Sequence, residues 1–194
     1  MKFLSIVPLL AITVSALPNP LGSPGWAKWG GRGGARPPFG LPEETGKELV
    51  TQFVSLLTNF DAGVATNLLS SVSFEDTSDS INGLAGIPLG TVTFPNAQAF
   101  IYGQGAQPAI DVNVTAIETI TPTGVITFRW IGHAGQKTSP LSGINILHAT
   151  NDPAQGGGDG KGVNGWVLTK VFSEFNSAEW VRQIGGTVTL PSRG

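Results

Sequence analysis

Residues 110–116 read Ile110-Asp111-Val112-Asn113-Val114-Thr115-Ala116, with apolar and polar side chains taking strict turns. A period of two puts Ile110, Val112, Val114 and Ala116 on one face of an extended strand, and Asp111, Asn113 and Thr115 on the other. The pattern continues downstream. Thr123-Gly124 reads as a turn into a strand over 125–131 that is apolar on both faces. Ile144, Ile146 and His148 share one face of the next strand, and residues 166–175 form the last long one. Asn176-Ser177-Ala178-Glu179 has the form of a capping box and opens a short helix with Trp180 and Ile184.

Upstream the period is helical. Leu49, Val50, Phe53, Leu56, Leu57 and Phe60 fall on one face of a helix over 43–60. Pro42 suits its first turn, and Glu43 and Glu44 complement its dipole. Asp61 is placed to cap a second short helix carrying Val64, Leu68 and Leu69. Val72 and Phe74 read as a short strand, 83–95 as irregular, and 96–102 as a third helical stretch. Helices first and strands after predict an α+β domain, with helices packed on a curved antiparallel sheet.

Composition narrows the function classes. The 194-residue chain is 40% hydrophobic and only 12% charged, with a formal net charge of -2. No acidic residue precedes Glu43, whereas from Glu43 onward there are 7 basic and 13 acidic residues, leaving that part at −6. An acidic domain is a poor default partner for nucleic acid. There are 0 cysteines, which removes thiol catalysis and thiolate metal sites.

The first segments predict export. Lys2, an apolar run over 3–14 and Val14-Ser15-Ala16 match a secretory leader, cleaved between Ala16 and Leu17. The apolar run is shorter than the roughly 20 residues a bilayer span takes, so no stable membrane insertion is expected. Residues 17–42 read as a disordered Pro/Gly-rich basic linker, in which Trp26, Lys28, Trp29 and Arg32 form either a tether or an arm that touches polyanions or a membrane surface. The domain is assigned to 43–186 and a C-terminal tail to 187–194. An exported, extracellular protein is expected, with Asn113-Val114-Thr115 as its one glycosylation sequon.

Three stretches carry a resemblance: Asp76-Thr77-Ser78-Asp79-Ser80-Ile81-Asn82, Gly103-Gln104-Gly105-Ala106-Gln107-Pro108, and Val171 through Trp180. With the element order they resemble a family of secreted fungal proteins with the nuclear-transport-factor-2-like, or cystatin-like, cone fold. The resemblance implies an apolar pocket between helices and sheet, with Tyr102, Trp130, His148 and Phe172 as candidate lining. It also implies pairing through the sheet, hence a homodimer. Relatives in the wider superfamily include polyketide cyclases, dehydratases and isomerases, which use a pocket carboxylate or His for acid–base work.

Asp76, Asp79 and His148 are the candidates for such chemistry here. Asp76 and Asp79 lie among Thr77, Ser78 and Ser80, where their side chains could simply cap turns. His133, between Gly132 and Ala134, is expected at an exposed strand end. The two histidines and scattered carboxylates give no metal spacing, and no cofactor motif is present. The glycine-dense loop 155–165 has no Ser or Thr after Lys161, which excludes a Walker loop, and Lys161 occupies a position where a calcium loop needs oxygen. No Gly-x-Ser-x-Gly elbow occurs. Three functional readings result. They are a binding domain for a small apolar ligand, an acid–base enzyme of the cyclase, dehydratase or isomerase kind, and an interaction protein acting through its sheet face.

Overall fold

A computed structural model of the chain describes residues 40–135 and 139–189. The expected leader, its Ala16–Leu17 junction, the linker up to 39 and the tail from 190 lie outside the described residues. Five helices and five strands follow in the order α1 (Glu43–Thr58), α2 (Ala62–Leu68), β1 (Glu75–Thr77), α3 (Asp79–Ala85), α4 (Ala97–Gly105), β2 (Asp111–Ile120), β3 (Val125–His133), β4 (Leu141–Thr150), β5 (Val167–Phe175) and α5 (Ser177–Gln183).

The sheet runs β1-β5-β4-β3-β2 and is mixed, because the three-residue β1 pairs parallel to β5 while the other pairs are antiparallel. The strand expected at Val72 and Phe74 begins instead at Glu75; Val72 is exposed in a turn. A fourth N-terminal helix, α3, occupies part of what read as motif and irregular chain.

Curvature has a local cause. In the edge strand β2 the register slips between Val114 and Ala116, and again between Ile117 and Thr119. Each slip leaves one residue, Thr115 or Glu118, without a facing partner, and such bulges bend and twist a strand. The bent sheet wraps one core. Leu49, Val50, Phe53 and Leu56 from α1, Ala65 and Leu68 from α2, and Phe100 from α4 pack on Ile126, Phe128, Trp130, Leu147 and Val171. A Cβ on Gly46 would stand 2.7 Å from Ile120 Cγ2, so the missing side chain lets α1 lie directly on β2. Leu41 already belongs to this core, and its N–H donates to Pro122 O.

Asp61 caps α2 as its sequence predicts, accepting from the N–H groups of Gly63 and Val64. Asn176 caps α5 through Glu179 N, but the reciprocal half of a capping box is not made. Asn176 N donates to Ser142 O, and the Glu179 carboxylate turns to Arg182.

Candidate functional site: the concave face of the sheet

Strand registers order the concave face into rows. Starting from one end, the first row holds Val112, Gly132 and Leu141; the second holds Val114, Trp130, Gly143 and Phe175. The third runs Ile117, Phe128, Asn145, Ser173, and the fourth Ile120, Ile126, Leu147, Val171, Asp76. Burial is graded across the strands. On the edge strand β2, Val112, Val114, Ile117 and Ile120 are half-buried in all four rows, whereas the β3 and β4 residues beside them, from Gly132 and Leu141 to Ile126 and Leu147, are buried. The helix side therefore covers the middle of the sheet and leaves its β2 edge partly covered.

Asp76 occupies the deep row. Phe74, Asp76 and Ser78 alternate inward while Glu75 and Thr77 face the other way. Its backbone is fully engaged: Asp76 N donates to Phe94 O, and its carbonyl accepts from Thr93 N and Phe94 N. Its side chain is not. The residue is 2% exposed, and Oδ1 has no hydrogen-bond partner. Burial, and secondarily the charge of Glu174, push the carboxyl from its ordinary 3.8 up to about 7. A neutral carboxylic acid and a carboxylate are thus both accessible near neutral pH.

Glu174 lies on β5 two residues from Phe172, with its carboxylate turned to the start of α3. It accepts from Asp79 N at 2.7 Å, Ser80 N at 3.0 Å and Ser80 Oγ at 2.5 Å. This contact fixes α3 against the strand that pairs with Asp76.

The other sequence candidates do not join Asp76. Asp79 opens α3, and its Oδ1 accepts from Gly90 N at 2.6 Å. Ile144, Ile146 and His148 do share a face of β4, but it is the convex one; Leu141, Asn145, Leu147 and Ala149 point into the core. His148 stands in the row Glu75–Lys170–His148–Val125, edge-on to the Phe172 ring at 6.0 Å. Partial desolvation, and then the neighbouring Lys170 charge, lower its pKa. Phe172 is on the same convex face and exposed. Tyr102, 75% exposed, does not face the sheet interior, because Phe100 supplies the inward aromatic of α4. His133 is half-buried, with Nδ1 3.4 Å from Asp111 Oδ2.

Of the proposed lining, Trp130 alone reaches the concave face. Its indole N–H donates to Asn145 Oδ1 at 2.7 Å, and Asn145 Nδ2 donates to Ser173 Oγ at 2.6 Å. A Cβ on Gly143 would lie 2.3 Å from Trp130 Cζ2, so the ring rests on that glycine. Asn145 and Ser173 carry no local sequence signal, because each takes its role from a partner on the neighbouring strand. Among the described residues no group of three His, Asp or Glu is placed to hold a metal ion.

The concave face with its buried acid can be set beside known proteins. No curated protein sequence matches the chain. Among solved structures, IdmH from Streptomyces antibioticus, provisionally assigned as a polyketide cyclase, superposes with a TM-score of 0.51 at 11% identity, over 72% of this chain and 98% of that one. An NTF2-like protein of unknown function from Burkholderia pseudomallei gives 0.50 at 14% identity, over 73% and 98%. At such identities the likeness is one of fold. The sequence profile of the NTF2-like domain matches residues 40–187, most of the chain, and the chain belongs to that family.

Proposed function

We propose that the domain binds a small, mostly apolar molecule on its concave face and holds that molecule's one polar group with Asp76. The observation that carries this reading is the Asp76 carboxyl, 2% exposed with an unpartnered Oδ1. An unmet buried acceptor costs about 1–3 kcal/mol, and a bound polar group that donates to it would remove that cost. Native mass spectrometry of the full chain, isolated from its own host, tests the reading. A retained small molecule, lost on Asp76→Leu, is expected; retention by Asp76→Leu overturns it.

The same carboxyl favours a catalytic extension. A base poised at about 7 removes a proton from carbon near neutral pH, the chemistry of cyclases and isomerases. The likeness to IdmH supports this extension. Exchange of the α-protons of cyclohexanone for solvent deuterium, followed by NMR, measures it. The rate should climb as Asp76 ionises through about pH 7 and vanish in Asp76→Asn. A second reading rests on the convex face, where Ile131, Ile144 and Phe172 are exposed. Pairing of two copies through that face would cover them, and light scattering of Ile144→Lys against the unaltered chain checks it.

A further inference from the structure

The bonds from Trp130 to Ser173 have a fixed direction. An indole N–H can only donate, so Asn145 Oδ1 is the acceptor and its amide nitrogen is the donor to the next residue. Ser173 Oγ therefore accepts at 2.6 Å, and its own proton must point elsewhere. Among the described residues no acceptor receives it. Ser173 is half-buried, whereas Asn145 behind it is 2% exposed. A relay anchored on a buried indole thus ends in a positioned O–H on the concave face.

That donor neighbours the unmet acceptor. Asp76 pairs with Val171 in the parallel β1–β5 ladder, and Ser173 is the next inward residue along β5. Asp76 and Ser173 make no hydrogen bond with each other: Oδ1 is buried without a donor, and the half-buried Ser173 hydroxyl, which accepts from Asn145, keeps its proton for solvent or a bound group. Two apolar residues would need nothing further. A buried acceptor and an available donor one row apart suit a group that is both.

Resting on the Asp76 reading above, we propose that Ser173, held by Asn145 and Trp130, is the second polar contact of the ligand. We further propose that the ligand's polar group is an alcohol, which donates to Asp76 and accepts from Ser173. The alcohol class follows from this pairing, because a hydrocarbon satisfies neither end. Asn145 and Trp130 act as positioning residues that aim the Ser173 proton.

The test uses the full chain with cyclohexanol and, as a probe of matched size with no polar group, methylcyclohexane. Binding is followed by the Trp130 indole N–H and Asn145 side-chain amide resonances in a 15N spectrum. Cyclohexanol should move both in the unaltered protein, and Ser173→Ala should weaken its binding about five- to tenfold. Ser173→Thr keeps a hydroxyl and should recover most of that loss. Methylcyclohexane should bind the unaltered protein and Ser173→Ala alike. If Asp76→Asn weakens cyclohexanol binding and Ser173→Ala does not, the role of Ser173 is overturned while the Asp76 anchor stands. If neither probe binds the unaltered protein, the concave-face reading itself fails.

Discussion

Asp76→Asn should change the slope of stability against pH more than its height. The Asp76 pKa is about 7 in the folded chain against an ordinary 3.8, so on raising the pH the unfolded chain sheds this proton first. Below 3.8 both states keep the proton and the group is neutral to folding. Between 3.8 and about 7 stability falls as pH rises, and above about 7 it is level. At roughly 1.4 kcal/mol per pH unit the full loss is about 4 kcal/mol, of which about 3 kcal/mol lies above pH 4.5. Asn has the same shape and no titration. Its buried amide costs roughly 1–3 kcal/mol at every pH, so the variant should be less stable than the unaltered protein at pH 4.5 and more stable at pH 8. Urea unfolding of the full chain, followed by tryptophan fluorescence at several pH values, reads the crossing. Glu174→Gln serves as a control. It removes the smaller cause of the raised pKa, so most of the slope should persist, while loss of the α3 contact lowers the whole curve. Parallel profiles for the unaltered protein and Asp76→Asn would refute the reasoning, because they would mean that Asp76 ionises alike in both states.

Three further outcomes are expected. Gly143→Ala should destabilise the fold by about 1–3 kcal/mol and move the Trp130 indole resonance, since the new Cβ would stand 2.3 Å from that ring; thermal melts and a 15N spectrum check both. In an NMR titration His148 should lose its proton at a pH below the ordinary 6.5, and Lys170→Gln should recover only the smaller part of that shift, because desolvation is the larger cause. Asn113, exposed on the convex side of the edge strand opposite Ile131, should carry a glycan when the chain passes through a eukaryotic secretory route. Intact mass before and after glycosidase measures this, and an unmodified Asn113 would favour a convex face covered by another chain.

The sequence showed the elements more clearly than it showed which way their side chains face. In β2 the period of two assigned Val112 and Val114 inward correctly, but the bulge at Thr115 turns Ala116, expected on that same face, to the side of Arg129, and Ile117 takes the next inward place. Asp61 announced its cap because a cap is local: donor and acceptor lie three residues apart. The start of α3 has the same local signal, Ser78 accepting from Ile81 N three residues on, but Asp76, Thr77, Asp79 and Ser80 around it are equally able to cap turns, and the second hold on it, Glu174, lies far along the chain.

β4 marks where local reading stops, and for a physical reason. Its convex face carries Ile144, Ile146 and His148, while its concave face carries Gly143 and Asn145 among Leu141, Leu147 and Ala149. By hydropathy alone the convex stripe looks like core. Yet Gly143 is there because the Trp130 ring rests on it, and Asn145 because it accepts from that indole and donates to Ser173. Each is buried only by virtue of a partner on another strand, and pairing between strands is what a single sequence does not display. Asp76 was legible in part. It keeps phase with Phe74 and Ser78, which marks it as inward, whereas Asp79 lies outside that phase and binds Gly90 N. A polar residue in phase with core positions has to be satisfied from across the fold or by something bound. Asn145 is satisfied from across the fold, and Asp76 Oδ1 is not. That contrast between two buried polar side chains on one concave face is what separates the structural role of Asn145 from the functional role proposed for Asp76.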